Sequence, residues 1–409
     1  MTSSSAAGAR QPSAAASFPA LGQQVGGQPL AYLDSAATTL RPQAVINALA
    51  DFYATDNANP APVHALARRA ASRLTAARVT VARFINAPSP SEVIFTRGST
   101  EGINLIASTW GSANLRAGDE VILTIAEHNS NLLPWTRAAK QAGAMVRVVD
   151  VDDGGRLRID QLKRFLSART RLVAFSHVSN VLGLVNPAKE ICRLARQAGA
   201  RVVIDGAQSV PHVSVDVQDL GCDFYVFSGH KTLGPMATGV VWGRLELLDA
   251  MPPYHVGSNM AHEVDFERAS MEHGALKFQA GTPDVAGPLG LAAAIDFLTA
   301  LGKDVTWRHD QELVRHGLAR LREVKGLRIV GPTSPENRVP VFTFVIAGKS
   351  PLAIATAMDS KGIAIRAGDM AALPLLKRCG VSEAARASAY VYSTTGDLDR
   401  LAQALTEIA

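Results

Sequence analysis

From about residue 30 onward, short and nearly continuous apolar runs alternate with longer stretches whose apolar residues recur every three or four positions. The runs are EVIFTRG (92–98), DEVILTI (119–125), AMVRVVDV (144–151), RLVAFSHV (171–178), ARVVIDG (200–206), DFYVFSG (223–229) and GVVWG (239–243). They are rich in Val and Ile and lack strict polar alternation, which predicts strands covered on both faces of a mostly parallel sheet. Between them, INLIASTWGSANL and PAKEICRLARQAG read as helices, the second closing on a glycine stop. Such alternation predicts an α/β, doubly wound fold. Helical LAAAIDFLTALG (291–302) then leads to LRIVG, VPVFTFVIA, helical PLAIATAMDSKG and SAYVYST, which read as a small α+β domain. The expected division is a disordered tail and lead-in over 1–30, a large domain over 31–300 and a small C-terminal domain over 301–409.

Composition narrows the functional classes. A chain of 409 residues that is 47% hydrophobic can bury a large core and a smaller one beside it. The net charge of +5 comes from interspersed signs, which argues against a nucleic-acid or membrane partner. Cys192, Cys222 and Cys379 form no CxxC pair, so neither a disulfide framework nor a metal site is expected, and a reducing cytoplasm is the expected compartment. No apolar run approaches the roughly 20 residues that span a bilayer. The opening MTSSSAAGARQPSAAAS lacks the apolar core of a secretory signal; its Ser, Ala and Arg content has something of a transit peptide but suits a disordered tail better.

In open α/β sheets ligands sit beyond the carboxyl ends of the strands, so the polar residues there carry the chemistry. Ser99 and Thr100 follow EVIFTRG at a helix N-terminus, a position that suits a phosphate, although a simple Ser/Thr cap looks the same. His128 follows DEVILTI, and ARVVID ends in Asp205, with Gln208 close behind. DFYVFSG ends in Ser228, with His230 and Lys231 directly after it. A lysine in a polar turn is commonly a solvated surface residue, but in a desolvated pocket its amine becomes nucleophilic. A phosphate-binding turn, an aromatic ring partner, a buried acid and a reactive amine, each at a strand end, are the inventory for holding pyridoxal phosphate.

The sequence resembles the class V (fold type I) aminotransferases, specifically the group II cysteine desulfurases and selenocysteine lyases. The resemblance runs through YLDSAATTLRP (32–42), TRGSTEGINL, AEHNSNLLPW, SHVSNVLG, DGAQSVPH, FYVFSGHKTLGP, FQAGTPDVAG, IRAG and ARASAYVYSTTGDLDRL. It implies that Lys231 carries the cofactor aldehyde, Asp205 meets the pyridine nitrogen, Gln208 the phenolic oxygen, and His128 stacks on the ring and assists proton transfer. It further implies that Ser99, Thr100, Ser228 and His230 hold the phosphate, with Thr282 reaching in from the partner of a homodimer. Asn180 would contact cofactor and substrate, and Arg366 and Arg386 would meet a small amino-acid substrate, Arg386 gripping its carboxylate.

Two departures from the family pattern stand out. RAGDMAALPLL places Ala371 where the sulfur-accepting cysteine of the desulfurases belongs, with Asp369 and Met370 in the variable positions before it. GSNM (257–260) replaces a glycine-rich loop. Alanine cannot carry sulfur as a persulfide, yet the residues for removing an α-proton are all present. The expected reaction is therefore C–S cleavage (β-elimination) of an S-substituted cysteine, giving thiol, pyruvate and ammonia. A desulfurase or selenocysteine lyase with altered sulfur transfer, in which Cys379 could substitute, is the alternative. An aminotransferase, epimerase or decarboxylating deaminase follows, and a catalytically silent cofactor-binding relative is the non-enzyme reading.

Overall fold

A computed structural model describes residues 14–409. All seven apolar runs form strands of one sheet: β1 (Val93–Thr96), β2 (Glu120–Thr124), β3 (Met145–Val149), β4 (Thr170–Ser176), β5 (Arg201–Asp205), β6 (Phe224–Ser228) and β7 (Gly239–Gly243). Their spatial order is β1-β7-β6-β5-β4-β2-β3. β7 is antiparallel to both neighbours, and the remaining pairings are parallel.

The absence of polar alternation is explained by two separate cores. Ile122, Val173, Phe175, Val202, Ile204, Tyr225 and Phe227 pack into one apolar cluster on one side of the sheet. Their alternates Val121, Leu123, Leu172, Ala174, Val203, Phe224 and Val226 pack into another on the opposite side. Each fully buried Val, Leu, Ile or Phe among them contributes roughly 1.5–3 kcal/mol over its exposed state.

The C-terminal region builds a second sheet from β8 (Leu327–Ile329), β9 (Val341–Ile346), β10 (Arg366–Gly368) and β11 (Ala384–Ser388), ordered β8-β9-β11-β10 and antiparallel throughout. The helices Lys303–Arg322, Pro351–Asp359 and Thr395–Ile408 pack on it. This core also takes Ala31 and Leu33 from the beginning of the described chain, because Ala31–Tyr32 pairs in parallel with Ile363–Ala364. Residues 31–33, counted with the large domain on sequence alone, thus pack with the C-terminal unit; a two-residue ladder made across the chain leaves no local pattern.

The expected disordered lead-in needs a similar correction. Residues 1–13 lie outside the described residues. Residues 14–30 form two 3-10 turns, Ala14–Ser17 and Pro19–Gly22, and a tight ladder of Gln24–Val25 with Gln28–Pro29. Phe18 is 2% exposed and meets the rings of Phe297 and Tyr392 edge-on. One aromatic docked into a slot made by distant residues overrides a composition rich in Ala and Gly with no apolar periodicity.

Candidate active site

The parallel strands deliver Thr124, Ser176, Asp205 and Ser228 to one edge of the sheet, with Ser176 directly opposite Asp205. Asp205 is buried and accepts the Ala207 N–H at 2.9 Å. Burial raises its carboxyl above the ordinary range, while that hydrogen bond and the Lys231 charge pull it down. The next residue must be glycine, since a Cβ on Gly206 would lie 2.1 Å from the Tyr225 ring.

Lys231 ends a single 3-10 turn, Gly229–Lys231, that follows β6. Burial lowers its amine to about 8; Asp205 opposes that shift and Arg386 adds to it. The turn is held from the YLDSAATT segment: the His230 carbonyl accepts the Thr39 N–H at 2.9 Å and the hydroxyls of Thr38 and Thr39 at 3.1 Å each. The His230 imidazole falls to about 4 through burial and the charges of Lys231 and Arg41.

His128 caps the helix Asn129–Ala142, its Nδ1 accepting the Ser130 N–H at 3.1 Å. Burial first, then Lys231 and Arg386, depress it to about 4, so the ring is neutral near pH 7. Directly before it, Glu127 is a buried carboxyl that the sequence did not single out. Ser176 N–H (3.1 Å) and Thr124 Oγ1 donate to one of its oxygens, Ser176 Oγ (2.7 Å) and Asn131 Nδ2 (2.7 Å) to the other. Asn131 is in turn held by the Trp135 indole at 3.0 Å. Desolvation nevertheless lifts the Glu127 carboxyl to about 7, against those donors. Only the position of Glu127 beside His128 at a strand end could have suggested it.

Near the helix Ser99–Ile106, Gly98 has no side chain to cap the first turn and stands at φ 148°. Its backbone touches β7 so closely that a Cβ on Gly239 would lie 2.4 Å from Gly98 Cα. Ser99 donates its N–H to Ser228 Oγ at 2.8 Å, and the two hydroxyls bond each other at 2.9 Å. Thr100 Oγ1 meets Ser130 Oγ at 2.7 Å. Gln208 is buried and donates to the Ala36 carbonyl at 2.6 Å.

Arg366 in β10 and Arg386 in β11 stand directly opposite each other. Two like charges in that register repel. Asp34 sits between them, taking Arg366 at 2.7 Å and approaching Arg386 at 3.6 Å. Arg386 is buried, gives Nη1 to the Asn180 carbonyl at 3.0 Å, and keeps a buried Nε with no hydrogen-bond partner. Desolvation lowers this guanidinium to about 10. The YLDSAATT motif marked this region of the chain, but a counterion shared by two arginines is visible only in the folded structure.

One pocket of about 480 Å³ gathers Thr100, His128, Asn180, His230, Lys231, Arg366 and Arg386 with the segment Ala367–Ala371. Ser99, Asp205, Gln208 and Ser228 lie at the strand ends and among the bonds just described without lining it. Thr282 lies elsewhere in this single chain, in a cavity of about 370 Å³ with Phe95, Arg97 and Tyr254. The GSNM segment is tied to the same turn, through Asn259 Nδ2 on the Gly281 carbonyl and Gly281 N–H on the Ser258 carbonyl, both 2.8 Å.

At the pocket rim, Met370 and Ala371 hold left-handed backbone, φ 53° and 52°. Their carbonyls are pinned by Asn180 Nδ2 at 2.9 Å and by the Asn129 N–H at 2.7 Å. No cysteine lines the pocket. Cys192 and Cys222 are fully buried, and burial pushes Cys192 up to about 12 and Cys222 well above its ordinary range. Cys379 follows the helix Leu373–Arg378, half-buried against the sheet core, and burial raises its thiol too. Among the described residues no helix is long and apolar enough to cross a membrane.

Residues 31–401 match the aminotransferase class-V family. The cysteine desulfurase of Synechococcus elongatus is 45% identical over 392 residues, 96% of this chain and 62% of that protein. This chain thus spans less than two thirds of that relative's length. The probable cysteine desulfurase of Halalkalibacterium halodurans is 45% identical over 389 residues, 95% of each. The crystal structure of the Escherichia coli cysteine desulfurase CsdA superposes with a TM-score of 0.89 at 37% identity, covering 96% of both chains. The chain belongs to the aminotransferase class-V family, whose members use pyridoxal 5'-phosphate on a fold type I architecture.

Proposed function

We propose that this protein cleaves the C–S bond of a cysteine-type amino acid with pyridoxal phosphate, and that the sulfur leaves without passing onto a protein thiol at position 371. The relatives' names as cysteine desulfurases support the bond that is broken, and favour that chemistry over the narrower expectation of a lyase restricted to cysteine conjugates. The observation that carries the altered fate of the sulfur is Ala371, set in the pocket rim with every cysteine of the chain outside the pocket.

The residues present fit the cofactor. Lys231 has an amine depressed to about 8 in a pocket with a neutral His128, and Asp205 is a buried acid in the field of that amine. The uncapped start of the helix Ser99–Ile106, with Thr100 and His230 beside it, suits a phosphate. When bound, the cofactor supplies the electron sink that makes an α-proton removable.

The chain's own work is then as follows. Arg386 orients the substrate carboxylate with donor capacity the protein leaves unused, and Asn180 braces that guanidinium through its carbonyl. The Lys231 amine is the group suited to moving the proton at Cα, because its lowered basicity keeps an appreciable neutral fraction near pH 7–8. Asp205 supplies a buried carboxyl at the strand end in the field of the Lys231 amine, and His128 presents an uncharged ring. For an S-substituted cysteine, the substrate and one water yield a thiol, pyruvate and ammonium. Free cysteine would need a diffusible thiol to take its sulfur, leaving alanine. Thr282 is assigned to the pocket of a second copy, so a homodimer is the active unit; a fully active monomer in sedimentation experiments would refute that.

The test is product analysis with cysteine and a panel of S-substituted cysteines. Pyruvate with thiol, or alanine formed only with added thiol, supports the reading, with no persulfide on Cys192, Cys222 or Cys379 by mass spectrometry. A persulfide on Cys379 forming at the rate of turnover, or a keto acid that keeps the substrate's sulfur, would overturn it.

A further inference from the structure

We infer that Asp369 selects the substrate, which carries a cationic or hydrogen-bond-donating group on its sulfur substituent. This rests on the C–S cleavage reading and extends it to the substrate's distal end.

The argument starts from the pocket's charges. Arg366 and Arg386 share Asp34 as counterion, and Lys231 lies in the field of Asp205. A substrate carboxylate on Arg386 uses the remaining cationic capacity. Asp369 is the carboxylate left over. It is exposed and lines the same pocket, and its charge is close enough to act on the His128 imidazole. Its Oδ1 accepts the Ala371 N–H at 2.9 Å, which fixes the carboxylate's direction. Among the described residues, no ion pair involves Asp369 and no hydrogen bond reaches its Oδ2.

Backbone geometry makes this placement firm. Met370 and Ala371 in left-handed conformation, pinned at both carbonyls, leave the loop little freedom to carry Asp369 away. The methyl of Ala371 stands beside it where a reactive side chain would otherwise compete for the sulfur. A substrate held by its carboxylate at Arg386 and freed of an acceptor thiol thus has one acidic contact to offer its far end. A cation or a donor gains there, and a carboxylate is repelled.

Three amino acids without a cleavable C–S bond separate selectivity from chemistry. Lysine, norleucine and 2-aminoadipate have nearly equal reach and end in a cation, a methyl and a carboxylate. In calorimetric titration of the holoenzyme, lysine is expected to bind roughly three- to fivefold tighter than norleucine and at least about tenfold tighter than 2-aminoadipate. Asp369→Asn keeps an Oδ1 for the Ala371 N–H and should bring all three within about twofold. S-(2-aminoethyl)cysteine, S-ethylcysteine and S-carboxymethylcysteine should follow the same order in kcat/KM. Equal binding of lysine and norleucine, or an order unchanged in Asp369→Asn, overturns the inference. Tightest binding of 2-aminoadipate also overturns it, handing selection to Arg366. If the binding order holds while none of the sulfur compounds is cleaved, Asp369 keeps its selective role and the C–S cleavage reading falls.

Discussion

In the strand-end layer behind Lys231 and His128, a floor that does not itself line the pocket, Glu127, Ser176 and Asp205 are buried and bonded within the protein, whereas on the rim Asp369 is exposed and Met370 and Ala371 hold left-handed backbone. The floor is rigid because the sheet places it: Ser176 faces Asp205 across a parallel ladder whose two sides are packed by separate cores. The rim is a short loop held by the Asn129 and Asn180 bonds to its carbonyls and by the buried Met370 side chain, with no strand ladder of its own beyond Gly368 among the described residues. The difference teaches where each part of the function resides. Proton chemistry needs groups of displaced acidity, and displacement needs burial, so it belongs to the floor. Sulfur fate and substrate choice can change by side-chain replacement on a fixed loop, so the proposed function assigns them to the rim.

Breaking the floor has the largest expected effect. Lys231→Ala should reduce turnover by at least about a thousandfold, since under the proposed function it removes the cofactor's attachment and the base together. The visible absorbance band of bound cofactor should vanish while far-UV circular dichroism stays unchanged. Retained turnover would mean that the amine has been assigned wrongly.

Arg386→Ala acts where floor and rim meet. Loss of charge-assisted hydrogen bonds worth about 1.5–3 kcal/mol should raise KM roughly ten- to hundredfold. Cofactor affinity should move far less, because Arg386 contacts Asn180 and Asp34 and not the helix start near Ser99. A variant that loses cofactor but keeps its KM would relocate this residue.

Glu127→Gln sharpens the comparison through pH. Burial raises the folded carboxyl from its ordinary 4.5 to about 7, so its contribution to stability is complete below about 4.5 and is lost as pH rises through about 7. The melting temperature of the wild-type apoprotein should therefore carry a downward component between pH 4.5 and 7 that the glutamine variant lacks. Parallel melting curves against pH in the two proteins would show that Glu127 stays ionised throughout.

The smallest effect is expected on the rim. Ala371→Gly relieves a left-handed alanine but loosens the unfolded chain, giving a gain of at most about 1 kcal/mol. Thermal or denaturant unfolding measures it. A loss of several kcal/mol would mean that the Ala371 methyl is packed, and that the rim is built more like the floor.

Much of this site was legible beforehand for one reason. In a doubly wound sheet the strand ends converge, so His128, Asp205, Ser228 and Lys231 could be placed together from the polar residues that end or closely follow the apolar runs. Glu127 escaped because its meaning lies in its partners, Thr124, Asn131 and Ser176, of which Ser176 comes from another strand. Asp34 escaped for the same reason, since its two arginines lie more than 300 positions away. The packed segment around Phe18 was hidden by its small-residue composition, which carries no strand or helix period.

What the sequence determined by itself was the α/β pattern, the inventory of chemical groups, and the alanine standing at residue 371. These depend on local apolar runs and on residue identity. Only the tertiary structure decided which groups share a pocket, that Thr282 lies in a different one, that Asp34 stands between Arg366 and Arg386, and that the lysine amine falls to about 8. Proximity and desolvation arise from segments brought together across the whole chain, and no local stretch of residues encodes either.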